Sequence, residues 1–74
     1  MNLDYVQQKR DEFRALYLAG VAERLFTLEA ETCYIMHYGA FGWRTVLFTA
    51  DGRLIVGKFA TTRAHSLAEL VAAA

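Results

Sequence analysis

The stretch Trp43 to Phe59, WRTVLFTADGRLIVGKF, constrains this chain more than any other. Two β-rich runs flank Asp51-Gly52, a pair whose second residue accepts the positive φ that a tight hairpin demands. With Asp51 and Gly52 as a two-residue loop, Phe48 falls opposite Ile55 and Val46 opposite Gly57. Thr32 to Tyr38 precedes this hairpin and reads as another strand, rich in Thr, Tyr and Ile. Gly39-Ala40-Phe41-Gly42 then serves as a four-residue loop. In that register Tyr38 opposes Trp43, Tyr34 opposes Leu47 and Ile35 opposes Val46. Side chains alternate across a sheet, so these pairings sort residues into faces. One face collects Cys33, Ile35, His37, Val46, Phe48, Ile55 and Phe59, with Arg44 at its end. The other collects Tyr34, Met36, Tyr38, Trp43, Leu47, Leu54, Val56 and Lys58. Both are apolar, so both need cover.

The cover is helical. Residues 4–28 read as one helix, opened by a capping box of Asp4 and Gln7. Val6, Phe13, Leu16, Tyr17, Val21, Leu25 and Leu28 make its apolar stripe. Gly20 interrupts that span, and the spacing favours a helix that continues through it. At the other end, Ser66 to Glu69 reads as a capping box for a short helix, Leu67 to about Ala73, with Thr62 as a competing, earlier cap. The fold expected is α+β, in the order α-β-β-β-α. A three-stranded antiparallel meander carries a long N-terminal helix on one face and a short C-terminal helix at its edge.

Seventy-four residues make one domain, 1–74. A domain of this size buries only about 60% of its unfolded surface. Yet 55% of the residues are hydrophobic and ten are aromatic. Some of that apolar area must reach the surface, where it favours a partner or a second copy. Net charge is zero, with six acids against four bases in residues 1–32 and four bases against two acids thereafter. That is far from the basic excess typical of nucleic-acid binders. The charged N-terminus is unlike a signal peptide, and Ala15 to Ala22 is too short to span a membrane. A soluble cytoplasmic protein without membrane contact is the expectation.

Catalytic signatures are missing. Cys33 and His37 are four strand residues apart, about 13 Å, too far for a nucleophile and its base. Cys33, His37, His65 and Asp51 have no zinc-type spacing. Ser66 is the only serine, and capping accounts for it. The loop Gly39–Gly42 lacks the lysine and hydroxyl of a phosphate loop. The sequence therefore argues for a protein that is no enzyme and takes no cofactor or metal.

Two binding readings remain. In the first, the chain contacts another protein, itself, or both. Its anchors are Tyr34, Tyr38, Phe41 and Trp43, with Arg44 and Lys58 as polar flanks, because aromatic and arginine side chains dominate interface energetics. Small inhibitors and adaptors, including those encoded by phages and mobile elements, are of this size. In the second, the sheet lies on a nucleic acid through Arg44, Arg53, Lys58 and Arg63. Gly52-Arg53, then Gly57-Lys58-Phe59-Ala60-Thr61 and Ala64, resembles the second half of the AP2-type DNA-binding domain. That resemblance covers about a third of the chain and implies a three-stranded sheet followed by a helix. The α-β-β-β-α order is also similar to double-stranded-RNA-binding-like folds.

Overall fold

The computed structural model describes residues 2–74 and has the expected α+β architecture, with one strand more than the sequence suggested. Helix α1 spans Leu3–Leu18, followed by strands β1 (Glu23–Leu28), β2 (Glu31–His37), β3 (Trp43–Phe48) and β4 (Leu54–Val56), and helix α2 (Arg63–Ala73). The strands form an antiparallel meander in the order β1-β2-β3-β4.

Helix α1 does not run to Leu28. Asn2 caps its start, its side-chain oxygen accepting from the amides of Asp4 and Tyr5, in place of the predicted Asp4–Gln7 box. At its end Gly20 adopts φ +78°. The Gly20 amide donates to Tyr17 O and the Val21 amide to Leu16 O, at 3.1 and 2.9 Å. This is a Schellman closure, which satisfies the last carbonyls and turns the chain out of the helix. Residues 23–28 are thereby released to form the edge strand β1. A tight turn at Glu29-Ala30, both at positive φ, joins β1 to β2.

Both predicted registers are off by one residue. Thr49 and Arg53 exchange hydrogen bonds across Ala50-Asp51-Gly52, so the hairpin loop holds three residues. Phe48 opposes Leu54 and Val46 opposes Val56. Between β2 and β3, His37 opposes Trp43, Tyr34 opposes Val46 and Ile35 opposes Thr45, because the connection takes five residues. It contains a single 3-10 turn, Gly39–Phe41. A one-residue slip exchanges the faces of a strand. Tyr34, Val46, Phe48 and Leu54 therefore share one face, and Cys33, Ile35, Trp43, Thr45, Leu47 and Ile55 the other.

Each helix covers one face. Val6, Arg10, Phe13 and Tyr17 recur at helical spacing on α1. Val6 joins Tyr34, Val46 and Phe48 in a core against which Phe13, Tyr17 and Leu54 pack. The Phe13 ring lies 5.6 Å from Tyr34 and 5.9 Å from Phe48, within the range of favourable aromatic pairs. The Arg10 guanidinium rests 5.2 Å over Phe48 and donates to Thr49 O. On the opposite face Thr62, not Ser66, caps α2, accepting from the His65 amide. Ser66 is one turn inside the helix, fully buried, with its hydroxyl 2.7 Å from that of Thr45. Leu70 seats against Gly57, where any Cβ would come within 2.9 Å of the Leu70 amide nitrogen. Two helices on opposite faces resolve the double apolar sheet.

Candidate functional site

Three of the six predicted partner-contact residues come together at one end of the sheet. β2 ends at His37, and the chain crosses to β3 through Tyr38 and the 3-10 turn. Gly42 closes that turn at φ +87°, with its α-carbon against the Ala60 carbonyl. An L side chain there would be both strained and obstructed. The close approach brings the β4–α2 connection alongside. Trp43 and Ala60 exchange backbone hydrogen bonds at 2.7 and 2.9 Å, and the Gly57 amide donates to Thr45 O at 2.9 Å. Between those two points Lys58 and Phe59 stand against the single residue Arg44. The extra residue is a β-bulge, a device that re-aims side chains.

Phe59 is thereby placed between the connections. Tyr38 meets it edge-on at 5.3 Å, and Phe41 lies 5.5 Å away at 31°. The Arg44 guanidinium sits 3.7 Å over the Phe59 ring, and its Nε donates to Gly57 O at 3.1 Å. Phe41 remains 73% exposed and Phe59 36%, while Tyr38 and Arg44 are half-buried. Burial raises the Tyr38 phenol above its ordinary range, against the pull of Arg44 and Lys9.

The other predicted residues lie elsewhere. Tyr34 is only 3% exposed and belongs to the core beneath α1, so it cannot act as an open contact. Trp43 takes the face opposite its neighbour Arg44, against His37 at 4.9 Å and below Arg63 at 5.8 Å. Lys58 is exposed within the bulge and has no hydrogen-bond or ion-pair partner among the described residues. Sequence reasoning missed Phe59 as a site residue. It was assigned to a sheet face, and only the bulge at Lys58-Phe59 moves it to the cluster.

Of the four basic residues of the nucleic-acid reading, only Arg44 and Lys58 stand together, at the bulge. Arg44 is held on Phe59, Arg53 pairs with Asp51 at 3.0 Å, and Arg63 pairs with Glu23 at 2.6 Å. The Thr49 hydroxyl and Arg53 together hold the Asp51 carboxyl below its usual range. Cys33 is buried, and His37 is exposed on Trp43. No group of three or more His, Cys, Asp or Glu side chains gathers among the described residues. A groove of about 530 Å³ between α1 and the strand turns is lined by Val6, Gln7, Arg10, Ala30 and Gly52 among others. Arg10 there already donates to the carbonyls of Ala30 and Thr49. Among the described residues no helix is long and apolar enough to cross a membrane. No protein-family model matches the chain, and no curated protein or solved structure matches it either.

Proposed function

We propose that this is a non-catalytic binding protein that engages a protein partner through Tyr38, Phe41, Arg44 and Phe59. The observation that supports this most is Phe41. A phenylalanine 73% exposed gains little from burial in the chain itself. It is nonetheless held in place by a 3-10 turn, by Gly42 and by the Phe59 ring. A rigid exposed aromatic beside a stacked arginine loses little conformational entropy on docking, which is how interface anchors work. The inhibitor or adaptor role expected from size fits such a surface.

The test is loss of binding without loss of fold. Phe41→Ser removes the exposed ring and leaves the core residues Tyr34 and Phe48 in place. Its circular dichroism and melting temperature should match the parent, while a partner cross-linked in the source cells should no longer be recovered. Recovery undiminished by Phe41→Ser would exclude this surface. The same complex should resist added salt. Nucleic-acid binding through Arg44, Arg53, Lys58 and Arg63 would weaken steeply as salt rises.

A second surface supports self-association. β1 is an edge strand; Phe26 and Leu28 are exposed along it, Val21 in the turn before it and Leu18 at the end of α1. Open apolar edges are templates for another strand. Size-exclusion chromatography with light scattering, run over a concentration range, should show a dimer that Phe26→Lys abolishes. A monomer at every concentration would remove this reading and leave the Phe41 surface untouched.

A further inference from the structure

We infer that the partner segment seated on Tyr38, Phe41 and Phe59 presents a carboxylate, an Asp or Glu side chain beside an apolar one, that pairs with Arg44. The inference rests on the binding role proposed above and specifies the chemistry of the partner. Lys9, Arg53 and Arg63 each hold a carboxylate. The terminal nitrogens of Arg10 hold two carbonyls, and Arg24 donates to the Tyr17 hydroxyl. Arg44 uses only Nε, toward Gly57 O. Its two terminal amino groups have no acceptor among the described residues, and neither have the adjacent Lys58 and the exposed Arg14 of α1.

The half-buried Arg44 is nonetheless constrained. The Nε bond and the 3.7 Å stack on Phe59 hold its plane. The remaining fork of donors matches the two oxygens of a carboxylate, and a pre-set fork loses little freedom in pairing. A partner segment that spans both Phe41 and Phe59 also excludes water from the guanidinium stacked on Phe59. Exclusion strengthens an ion pair and makes an unpaired charge costly, so an apolar segment without an acid is disfavoured there. A nucleic-acid phosphate is the weaker fit. Backbone binding needs a row of free cations, and Arg53 and Arg63 are tied to Asp51 and Glu23.

The experiment selects random heptapeptides displayed on phage against the folded full chain. Bound phage are then tested on Phe41→Ser to retain those that use this surface. The expected peptides carry Asp or Glu within two positions of Phe, Trp or Leu. Replacing that acid by its amide should weaken binding to the parent on the order of tenfold. The same replacement should change nothing on Arg44→Gln, and Arg44→Lys should restore part of the difference. If Arg44→Gln fails to fold, the comparison of Arg44→Lys with the parent carries the test. Phe41-dependent peptides that lack acids, or tolerate the amide, would overturn this inference and leave the binding role intact. Failure to select any Phe41-dependent peptide would overturn both. Displacement of the peptides by a thymidine oligonucleotide, with affinity falling steeply in salt, would assign Arg44 to phosphate and overturn the carboxylate.

Discussion

Glu29 and Ala30 occupy left-handed backbone at φ 51° and 67°, where an L side chain costs about 1 kcal/mol or more. Turns of this kind favour glycine or asparagine. Arg10 donates to Ala30 O across the turn and to Thr49 O, which ties the β1–β2 turn to the end of β3. Ala30→Gly relieves the strain without removing either bond. It should raise the urea midpoint at unchanged slope, by about 1 kcal/mol of stability; a lower midpoint would mean that the Ala30 methyl contributes more than its backbone costs. Gly42 is the reverse case. Gly42→Ala combines positive φ with overlap on the Ala60 carbonyl, so the Trp43–Ala60 bridge should open. A loss on the order of 3 kcal/mol is expected from the same denaturation curve. Cys33 responds to pH. Burial pushes its thiol up to about 11 from 9.0. Above pH 9 the unfolded chain releases a proton that the folded chain keeps, so the unfolded state gains. Stability from this group is complete below pH 9 and falls until about pH 11. Cys33→Ala should flatten that alkaline decline in a series of melts.

Helix α2 depends on one buried polar pair. The Thr45 and Ser66 hydroxyls, 2.7 Å apart and both fully buried, bond each other under the helix. Ser66→Ala strands the Thr45 hydroxyl and should cost about 1–3 kcal/mol. Adding Thr45→Val should recover most of that loss, because the orphaned group is gone. Additive losses in the thermal melts would contradict the pairing. This pair also shows how much of each element was legible in sequence. Ser66 fits a capping box, but Thr62 offers the same chemistry four residues earlier, and the choice depends on what α2 packs against. The stripe Val6, Phe13 and Tyr17 was readable, whereas Gly20, over which the helix was expected to continue, in fact ends α1. β1 was not readable, because Val21, Leu25 and Leu28 keep helical spacing and Glu29-Ala30 carries no turn glycine. Asp51-Gly52 marks the hairpin but suits loops of two and three residues alike, and Gly39 to Gly42 suits connections of four and five, so both registers came out one residue off and the burial of Tyr34 was missed. At the site, Tyr38, Phe41 and Arg44 were legible as interface residue types around a short loop. Their partner Phe59 was not, since a bulge changes the face of a residue without changing its type.

At the scale of the whole molecule the fold is a thin sheet held between two helices, and its stability should be graded from the centre outward. β2 and β3 are paired on both sides, and they supply Cys33, Ile35, Thr45 and Phe48, all at or near complete burial. β1 and β4 are paired on one side only. β1 is exposed at every residue but Leu25, and β4 is three residues long. Opening an edge strand exposes little apolar surface, whereas separating β2 from β3 removes the floor on which both helices rest. Amide exchange follows the free energy of the smallest opening that frees each hydrogen bond. Cys33 to Ile35 and Thr45 to Phe48 should therefore exchange last, at the rate of global unfolding. Amides of β4, and of β1 on its β2-facing side, should exchange earlier through partial opening. Hydrogen–deuterium exchange followed by NMR distinguishes these classes residue by residue. A further step separates the two faces. Ser66→Ala should lower protection in α2 and at Gly57, which donates to Thr45 O beside Leu70, more than in α1. Equal loss of protection across α1 and α2 would show that the faces unfold as one unit. Edge amides as slow as those of β2 and β3 in a dilute sample would mean that β1 is paired to something beyond this chain.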